Sequence, residues 1–386
     1  MDSFKIAITG LGSVSALGTN SEVVWESYLD NKHYFDKTEF PFGEELCSSL
    51  SEEGKAEIIA LRSEKSNYKH LDLSVLLAMV ASRKAISQAG WNNASEFGVN
   101  IGSSRGATES FEKYHTQFIE SGKQFVNPIT SPTTTLGNIA SWVAADLGTD
   151  GPAISHSITC STALHAVANA IVWLKSGFCS KFLAGGSEAP LTAFTLAQMK
   201  ALKVYSSLKD SYPCRSMDLS KKHNSMILGE GAASFCLELN STRALAYISG
   251  IGYGTETINH GASISADALC LQKSMQMALK GHDLESVDVI ILHSPGTIQG
   301  DNSEMKAIQT IFGEYLPLLT SNKWKIGHTF GASGALSMEM ALLMIQHNKF
   351  IQPPYLEVQN SQKTIKKILI NAVGFGGNAV SVLLEK

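Results

Sequence analysis

The sequence predicts an α/β protein, and three observations support this prediction. Short apolar runs alternate with longer runs that have helical spacing, which is typical of α/β architecture. Of the 386 residues 44% are hydrophobic and only 17% are charged, so extensive burial is expected. A glycine-rich turn that leads into a strand occurs late in each half of the chain, which indicates a duplicated fold.

The N-terminal half, residues 1–242, alternates predicted strands with predicted helices. The strands are Lys5–Gly10, Gly98–Ser103, Ala153–Ile158, Lys181–Ala184 and Ala232–Leu239. The helices are Asn20–Leu29, Leu71–Ala89, Ile139–Leu147, Ser161–Lys175 and Ala193–Ala201. The segment Asn31–Asn67 is polar and rich in Gly, Ser and Glu, and we interpret it as an irregular surface insertion.

The C-terminal half, residues 243–386, repeats this alternation. Its predicted strands are Ala246–Tyr253, Val287–His293, Ile368–Val373 and Ala379–Leu384. Its predicted helices are Ala266–Leu279, Asn302–Phe312 and Ala335–Gln346. The turn Gly374-Phe375-Gly376-Gly377 before the last strand is similar to Gly229-Glu230-Gly231-Ala232 in the first half. Glycine permits positive φ and a close backbone approach at such turns.

Composition excludes several classes of protein. The formal charge is −4 without a basic cluster, which gives no electrostatic support for nucleic-acid binding. The N-terminus leads directly into a predicted strand, so we expect no signal peptide. No apolar run approaches the roughly 18 residues that span a bilayer. The six cysteines lack CxxC spacing, so we expect neither disulfides nor a metal site, and a reducing cytoplasm.

Cys160 lies where a predicted strand changes abruptly into a predicted helix. Its sulfur is therefore expected to face the positive end of the helix dipole and the unpaired N–H groups of the first turn. Such a field favours thiolate, the nucleophilic form of cysteine. Taken alone, Cys160 is more simply interpreted as a buried structural cysteine, since free cysteine is among the most buried residue types.

Two distant histidines favour the catalytic interpretation. His293 ends a predicted strand, and ligand sites in open α/β sheets gather at the carboxyl ends of strands. His328 lies in a Gly- and Ala-rich turn that leads into a helix. Either histidine alone is more simply explained as a surface or core residue. The hypothesis of a catalytic site depends on the combination of the three loops, each of which lies at a strand end or a helix start.

With these residues in place, the chain resembles the β-ketoacyl-acyl carrier protein synthases of the elongating type, in the thiolase-like condensing-enzyme superfamily. The resemblance covers nearly the whole sequence. The motifs that carry it, in order, are Ile8-Thr9-Gly10-Leu11-Gly12, the stretch around Cys160, Ala184-Gly185-Gly186-Ser187-Glu188-Ala189, Gly229-Glu230-Gly231-Ala232, His293 to Asp301, Lys323 to His328, and Gly374-Phe375-Gly376-Gly377.

The resemblance implies a catalytic triad of Cys160, His293 and His328. Cys160 would take an acyl group from a carrier-protein thioester and form an acyl-enzyme. Malonyl-carrier protein would then lose CO₂, and the two imidazoles would stabilise the resulting enolate. Lys323 and Glu230 would fix the tautomer and orientation of His328.

Further roles follow from the same resemblance. The backbone N–H groups of Cys160 and Phe375 would form the oxyanion hole, and Phe375 would also act as a gate. Thr297, Gly376 and Gly377 would bind the pantetheine arm or the acyl chain. The residues that line the acyl pocket are a guess at this stage: Ile101, Thr108, Thr135, Ala193 and Phe194.

The resemblance also implies a fold and partners. The fold would be a five-layered α-β-α-β-α sandwich of two similar halves, with the nucleophile in the first half and both histidines in the second. No cofactor would be needed, because phosphopantetheine arrives on acyl carrier protein. The protein would be a dimer paired through the strand before Cys160. Its partner would be an identical chain or a chain-length-factor homologue.

The chain departs from the family pattern around the acyl and pantetheine pockets. Pro295 stands where a second pantetheine-binding threonine is usual. His260 is a possible match to a family histidine, but Thr257 stands where an acid is expected. Trp324 replaces a small residue. These changes favour a specialised fatty-acid, aryl-polyene or polyketide-type pathway over housekeeping fatty-acid synthesis.

Three alternatives are open at the level of sequence. Chain-length-factor subunits shape a pocket without turnover, but they typically lose the cysteine that this chain keeps. Degradative thiolases need a second cysteine in the C-terminal glycine-rich loop, and no cysteine follows Cys270. Initiating synthases commonly carry Asn at the position of His328. The residues therefore favour the elongating type.

Overall fold

The computed structural model describes residues 5–91, 96–257, 264–359 and 364–386. The strands are β1 (Ile6–Ser15), β2 (Asp36–Phe40), β3 (Gly43–Cys47), β4 (Gly98–Gly102), β5 (Ala153–Ile154), β6 (Lys181–Glu188), β7 (Gly231–Leu239), β8 (Ala246–Thr255), β9 (Val289–Ile291), β10 (Leu318–Thr320), β11 (Lys367–Gly374) and β12 (Asn378–Glu385). The α-helices are α1 (Ser21–Leu29), α2 (Glu52–Glu64), α3 (Leu73–Ala89), α4 (Thr108–Glu120), α5 (Thr130–Thr134), α6 (Asn138–Leu147), α7 (Thr162–Lys175), α8 (Ala193–Ala201), α9 (Leu269–Ala278), α10 (Ile298–Phe312), α11 (Lys323–Ile326) and α12 (Ser333–His347).

The strand order repeats. All strands except β2 and β3 hydrogen-bond in the order β10-β9-β11-β12-β8-β1-β7-β6-β4-β5. In the first set, β1 and β7 are antiparallel, β7 and β6 are antiparallel, and β6, β4 and β5 are parallel. The second set, β8-β12-β11-β9-β10, has the same order and the same directions. A short antiparallel pairing of β1 with β8 joins the two sets.

Helices cover both sets of strands and fill the space between them. The central cluster joins α7 and α12 to apolar residues of both sets, such as Phe235 and Ile370. A second cluster packs α3 and α6 on the outer face of the first set. A third packs α9 and α10 on the outer face of the second. The five-layered fold of two duplicated halves is therefore confirmed.

Helix α3 shows how local sequence allows this packing. It begins behind Asp72, whose side chain accepts the N–H of Ser74 at 2.9 Å, and it ends at Gly90 in the left-handed conformation. Strand β1 lies directly against it, because a Cβ on Gly10 would come within 2.2 Å of the carbonyl oxygen of Ala85. Only glycine permits this approach.

Two predictions about the first half are wrong. The strand expected over Ala153–Ile158 ends at Ile154, because the next side chains replace the ladder: Ser155 Oγ donates to the Ile101 carbonyl at 3.0 Å. The segment Asn31–Asn67 is not irregular, because it contains the β2–β3 hairpin and helix α2. Its apolar residues Cys47, Leu50, Ile58 and Leu61 are buried, which the polar composition of the segment concealed.

Helices α4 and α5 were not expected from the sequence. In the second half, Val287–His293 forms a strand only at Val289–Ile291, although Leu292 still donates its N–H to the carbonyl of Thr320 at 2.8 Å. Among the described residues, no helix has both the length and the apolar character needed to cross a membrane.

Candidate active site

Cys160, His293 and His328 converge in the structure. Their side-chain donor atoms lie within 4.8 Å of one another. The two imidazole rings meet edge-on, with centroids 5.0 Å apart and planes at 84°. All three residues are buried, with exposures of 5%, 4% and 3%. A cysteine of the first half and two histidines of the second half, more than a hundred positions away from it, thus form one compact group at a cavity of about 330 Å³.

Cys160 is presented by a tight turn ahead of α7. Thr159 has a φ of 49°, an unfavourable value for a β-branched residue. Its hydroxyl donates to the carbonyl of Phe375 at 3.4 Å. A Cβ on Gly374 would lie 1.6 Å from that hydroxyl oxygen and 2.9 Å from the backbone nitrogen of Cys160. The glycine-rich turn of the second half therefore packs directly on the nucleophile turn of the first.

His293 is held through its backbone by Glu304 of α10. One carboxylate oxygen accepts the N–H of His293 at 2.9 Å, and the other accepts the N–H of Ser294 at 2.7 Å. The side-chain amide of Asn371 also donates to this carboxylate, at 3.2 Å. Glu304 is fully buried, and Ser294 has a strained φ of 26°. Sequence analysis missed Glu304, although its spacing of one helix turn from Gly300 was visible.

His328 follows α11 and is fixed by a short parallel bridge to the segment before β7. Its N–H donates to the carbonyl of Ile227 at 2.7 Å. Gly327 has a φ of 69°, and a Cβ there would lie 2.7 Å from the same carbonyl oxygen. Phe330, two residues later, has a φ of 40°. Each of the three convergent residues thus has a non-glycine residue in the left-handed region within two positions of it.

Burial keeps both imidazoles neutral. It lowers the pKa of His328 to about 3, and nearby Lys323 acts in the same direction. Burial, His328 and Lys323 together lower the pKa of His293 well below its usual value. The Nδ1 atom of each ring is buried without a hydrogen-bond partner among the described residues. No described group therefore fixes the tautomer of either ring, and each neutral ring carries one N–H that can serve as a donor.

Cys160 rests as a thiol. Burial, and then the nearby Glu188, raise the pKa of Cys160 to about 12, while Arg105 and Lys323 act in the opposite direction. The sequence suggested that the start of the helix behind Cys160 favours the thiolate. That effect alone is insufficient to keep Cys160 ionised in the resting state. A neutral imidazole within 4.8 Å can take the thiol proton when the sulfur attacks.

Lys323 lies beneath the histidines with only 1% of its surface exposed. Its Nζ donates to Asn322 Oδ1 at 2.9 Å and to Ser337 Oγ at 3.4 Å. Neither partner is a carboxylate, and burial lowers the pKa of Lys323 to about 8. The predicted proximity of Lys323 to His328 agrees with the electrostatic influence of the lysine on that ring.

Glu230 does not join this group, so its predicted contact with His328 is wrong. Its carboxylate accepts the N–H of Leu50 at 3.1 Å. It lines a separate cavity together with Glu109 and Glu112. The backbone passes close to His328, but the side chain of Glu230 is directed toward the segment that sequence analysis took for an irregular insertion.

The other predicted binding residues divide into two groups. Phe375 and Thr297 line the cavity, and Phe375 is 37% exposed. The Thr297 hydroxyl also caps α10 by accepting the N–H of Gly300 at 3.2 Å. Gly376 and Gly377 are not on the lining, and both have positive φ, so they serve the turn rather than direct contact with the cavity.

The lining of the cavity also includes the apolar side chains of Leu202, Val204 and Met226 and the polar ones of Asn224 and Gln299. The residues guessed for the acyl pocket, Ile101, Thr108, Thr135, Ala193 and Phe194, are not on this lining. Thr257 lies among the described residues, whereas His260 lies outside them. The side-chain ligand atoms of Cys160, His293 and His328 are also close enough to hold a metal ion, whereas the sequence predicted their convergence but no metal site.

Glu188 is a second buried acid that sequence analysis left without a role. Its carboxylate accepts hydrogen bonds from the hydroxyl of Ser103 at 2.9 Å, the N–H of Ser104 at 2.7 Å and the N–H of Gly331 at 2.8 Å. The loop after β4 is thereby tied to the turn that follows His328. Burial raises the pKa of Glu188 to about 7.

Two family models together match most of the chain. Residues 3–243 match the model of the beta-ketoacyl synthase N-terminal domain, and residues 245–358 match that of the C-terminal domain. The 3-oxoacyl-[acyl-carrier-protein] synthase 2 of Staphylococcus aureus is 30% identical over 403 residues, which cover 97% of this chain and 99% of the relative. That of Coxiella burnetii is 27% identical and covers 100% and 99% of the two chains.

Solved structures share the fold at low sequence identity. The ishigamide ketosynthase/chain length factor has a TM-score of 0.86 at 20% identity, with 100% of this chain and 99% of that chain covered. The ketosynthase AntDE, solved with the acyl-carrier protein AntF and bound to the hexaketide, has a TM-score of 0.85 at 22% identity, with both chains covered completely.

Proposed function

The chain belongs to the beta-ketoacyl synthase family, whose members are condensing acyltransferases, and we propose that it joins an acyl group held on Cys160 to a malonyl unit with loss of CO₂. The single observation that carries this proposal is the convergence of Cys160, His293 and His328 within 4.8 Å. One nucleophile and two neutral donors are the groups that such a condensation needs.

In the first half-reaction, the Cys160 sulfur attacks the carbonyl carbon of an acyl thioester. The thiol proton passes to a neighbouring imidazole and then to the leaving phosphopantetheine thiolate. The new C–S bond replaces the old one, so the acyl group moves without any change in oxidation state. The N–H groups of Cys160 and Phe375 would hold the oxyanion, and the close packing of Gly374 on the Cys160 turn supports this assignment.

In the second half-reaction, a malonyl thioester loses CO₂, and the electron pair of the broken C–C bond becomes an enolate. Both imidazoles donate an N–H to the enolate oxygen. The enolate carbon then attacks the acyl carbonyl, and Cys160 leaves as thiolate. A proton taken up from solvent restores the thiol, because the original proton left with the phosphopantetheine thiol in the first half-reaction. Since the enolate charge appears only along this step, donors held in a buried site accelerate it selectively.

Lys323 supports this chemistry as a positioning residue. A cation behind His328 disfavours the imidazolium, so the ring stays a neutral donor. The contacts of Lys323 with Asn322 and Ser337 hold it there. Phe375 would move to admit the malonyl substrate, and its exposure at the cavity supports such a gate.

The partners follow from the same chemistry. The substrates would arrive as phosphopantetheine thioesters on acyl carrier protein, so the chain itself would need no further cofactor. We divide the chain into halves at residues 1–242 and 243–386, with the nucleophile in one and the histidines in the other. The dimer partner would be an identical chain or a chain-length factor. The protein would act in the cytoplasm.

The decisive experiment separates the enzyme from a non-catalytic partner subunit. The protein would be incubated with acyl-carrier protein that bears a ¹⁴C-labelled acyl group, and peptides would be examined by mass spectrometry. We expect label on Cys160, and β-ketoacyl product once malonyl-carrier protein is added. Absence of label on Cys160 at all acyl lengths tested, by folded protein, would overturn the proposal in favour of a chain-length-factor role.

A further inference from the structure

An arginine borders the apolar surroundings of the nucleophile. The guanidinium carbon of Arg105 lies 5.0 Å from the ring centroid of Phe330, over the ring face. Phe330 lines the Cys160 cavity and packs in one apolar cluster with Cys160, Leu196 and Met199. A cation in this place is unexpected, because a plain hydrocarbon chain offers it nothing to bind.

The backbone holds Arg105 in this place firmly. Its N–H donates to Glu188 at 3.0 Å, and Gly106 follows it with a φ of 66°. A Cβ on Gly331 would lie 2.5 Å from the nitrogen of Ser104, so the loop and the turn that carries Phe330 are in close contact. The same carboxylate therefore fixes both the arginine and the aromatic ring beneath it.

Most of the guanidinium remains available. Nη1 donates to Gln198 Oε1 at 2.6 Å, and no other acceptor of the guanidinium occurs among the described residues. Arg105 is only partly buried, so its remaining N–H groups are accessible. Five donors in a rigid plane make arginine suited to carbonyl, hydroxyl and carboxylate oxygens.

We propose that Arg105 is a specificity-determining residue that selects acyl groups bearing an oxygen substituent over unsubstituted hydrocarbon chains. The inference rests on the proposed function, since it concerns the acyl group carried by Cys160. The guanidinium is not itself on the cavity lining but lies over the ring of Phe330, which is. A chain that extends past Phe330 would come beside the guanidinium, and an oxo or hydroxyl oxygen there would accept its N–H groups. An unsubstituted chain leaves those donors without a partner in an apolar setting, which disfavours it.

The test compares acylation of Cys160 by matched thioesters on carrier protein: octanoyl, 3-hydroxyoctanoyl, 5-oxooctanoyl and 7-oxooctanoyl. We expect at least one oxygen-bearing chain to react about ten-fold faster than octanoyl, in line with one hydrogen bond to a charged donor. Arg105→Met should abolish that ratio, and Arg105→Lys should retain part of it, because lysine keeps the charge but not the planar fork.

Lys113→Met is the matched control, since it removes an exposed cation from the neighbouring helix α4 and should leave the ratio unchanged. Gln198→Leu serves as a second probe should Arg105→Met fail to fold, because it frees the guanidinium and should change the ratio. Equal rates for all four chains, or a ratio that survives in Arg105→Met, would overturn the inference. Acylation of Cys160 by any of them would still support the proposed function.

Discussion

Glu304 fixes His293 through the main chain and not through the ring: its carboxylate accepts the backbone N–H of His293 at 2.9 Å, eleven residues away in sequence. The imidazole itself has its Nδ1 buried without a partner among the described residues. The orientation of this catalytic ring is therefore set by the loop that carries it, and Glu304 is the residue that shapes the loop.

Glu304→Gln should consequently impair condensation. The amide NH₂ of glutamine would face one of two backbone N–H donors, which leaves a buried donor unpaired at a cost of about 1–3 kcal/mol. We expect kcat for condensation to fall roughly ten- to hundred-fold, with a smaller effect on acylation of Cys160. Steady-state and single-turnover assays measure the two steps, and Glu285→Gln, an exposed neighbour, is the control. Equal loss in both steps would point to general misfolding instead.

His328→Ala should separate the two half-reactions. Loss of one enolate donor is expected to reduce decarboxylative condensation by about 10²–10³-fold. Acylation of Cys160 should fall less, because His293 remains within reach of the thiol. Measured rates of acyl transfer and of CO₂ release distinguish the outcomes, and His115→Ala on the exposed face of α4 is the control. Unchanged CO₂ release would contradict the assigned role.

Alkylation of Cys160 should rise steadily with pH. Burial raises its pKa to about 12, so the thiolate fraction grows about ten-fold per pH unit through the neutral and mildly alkaline range. We expect the rate of iodoacetamide modification, followed by mass spectrometry of the Cys160 peptide, to increase without a plateau from pH 7 to 9.5. The partly exposed Cys179 serves as an internal reference. A plateau below pH 8 would instead reveal a resting thiolate–imidazolium pair.

Glu339→Gln should flatten the pH dependence of stability. Glu339 is fully buried on α12, and burial raises its pKa to about 7, above the ordinary value. The folded state therefore binds a proton that the unfolded chain releases, so the stabilising contribution is complete at acidic pH and is lost as pH rises toward 7. The free energy of unfolding of Glu339→Gln, relative to that of the unsubstituted protein, should therefore be roughly 1–3 kcal/mol higher at pH 8 than at pH 5. Urea unfolding at both pH values measures this, and a constant difference would contradict the expectation.

The sequence predicted the reacting residues better than the residues that hold them in position. Cys160, His293 and His328 were predictable because each lies at the end of a strand or the start of a helix, where local pattern is strong. Glu230 was assigned wrongly, since only tertiary structure shows that its side chain contacts Leu50. Glu304 and Glu188 were missed for the same reason: each acts on backbone N–H groups of residues that only the fold brings near.

The repeat of the fold was predictable from the sequence, but the structure of the segment Asn31–Asn67 and the length of strand β5 were not. The paired glycine-rich turns reflect the identical strand order of the two halves. The segment Asn31–Asn67 was misjudged because a few spaced apolar residues, such as Ile58 and Leu61, suffice to bury one face of a short helix. Strand β5 is short because the Ser155 hydroxyl occupies the Ile101 carbonyl, although the His156 carbonyl still accepts the N–H of Ser103 at 3.3 Å.

Thr159, Ser294 and Phe330 hold unfavourable backbone angles beside the nucleophile and the two imidazoles. Each such residue stores free energy that a glycine or asparagine would release. Selection for heat resistance alone would therefore favour relaxing these three points first, and the resulting sturdier protein would be a poorer catalyst.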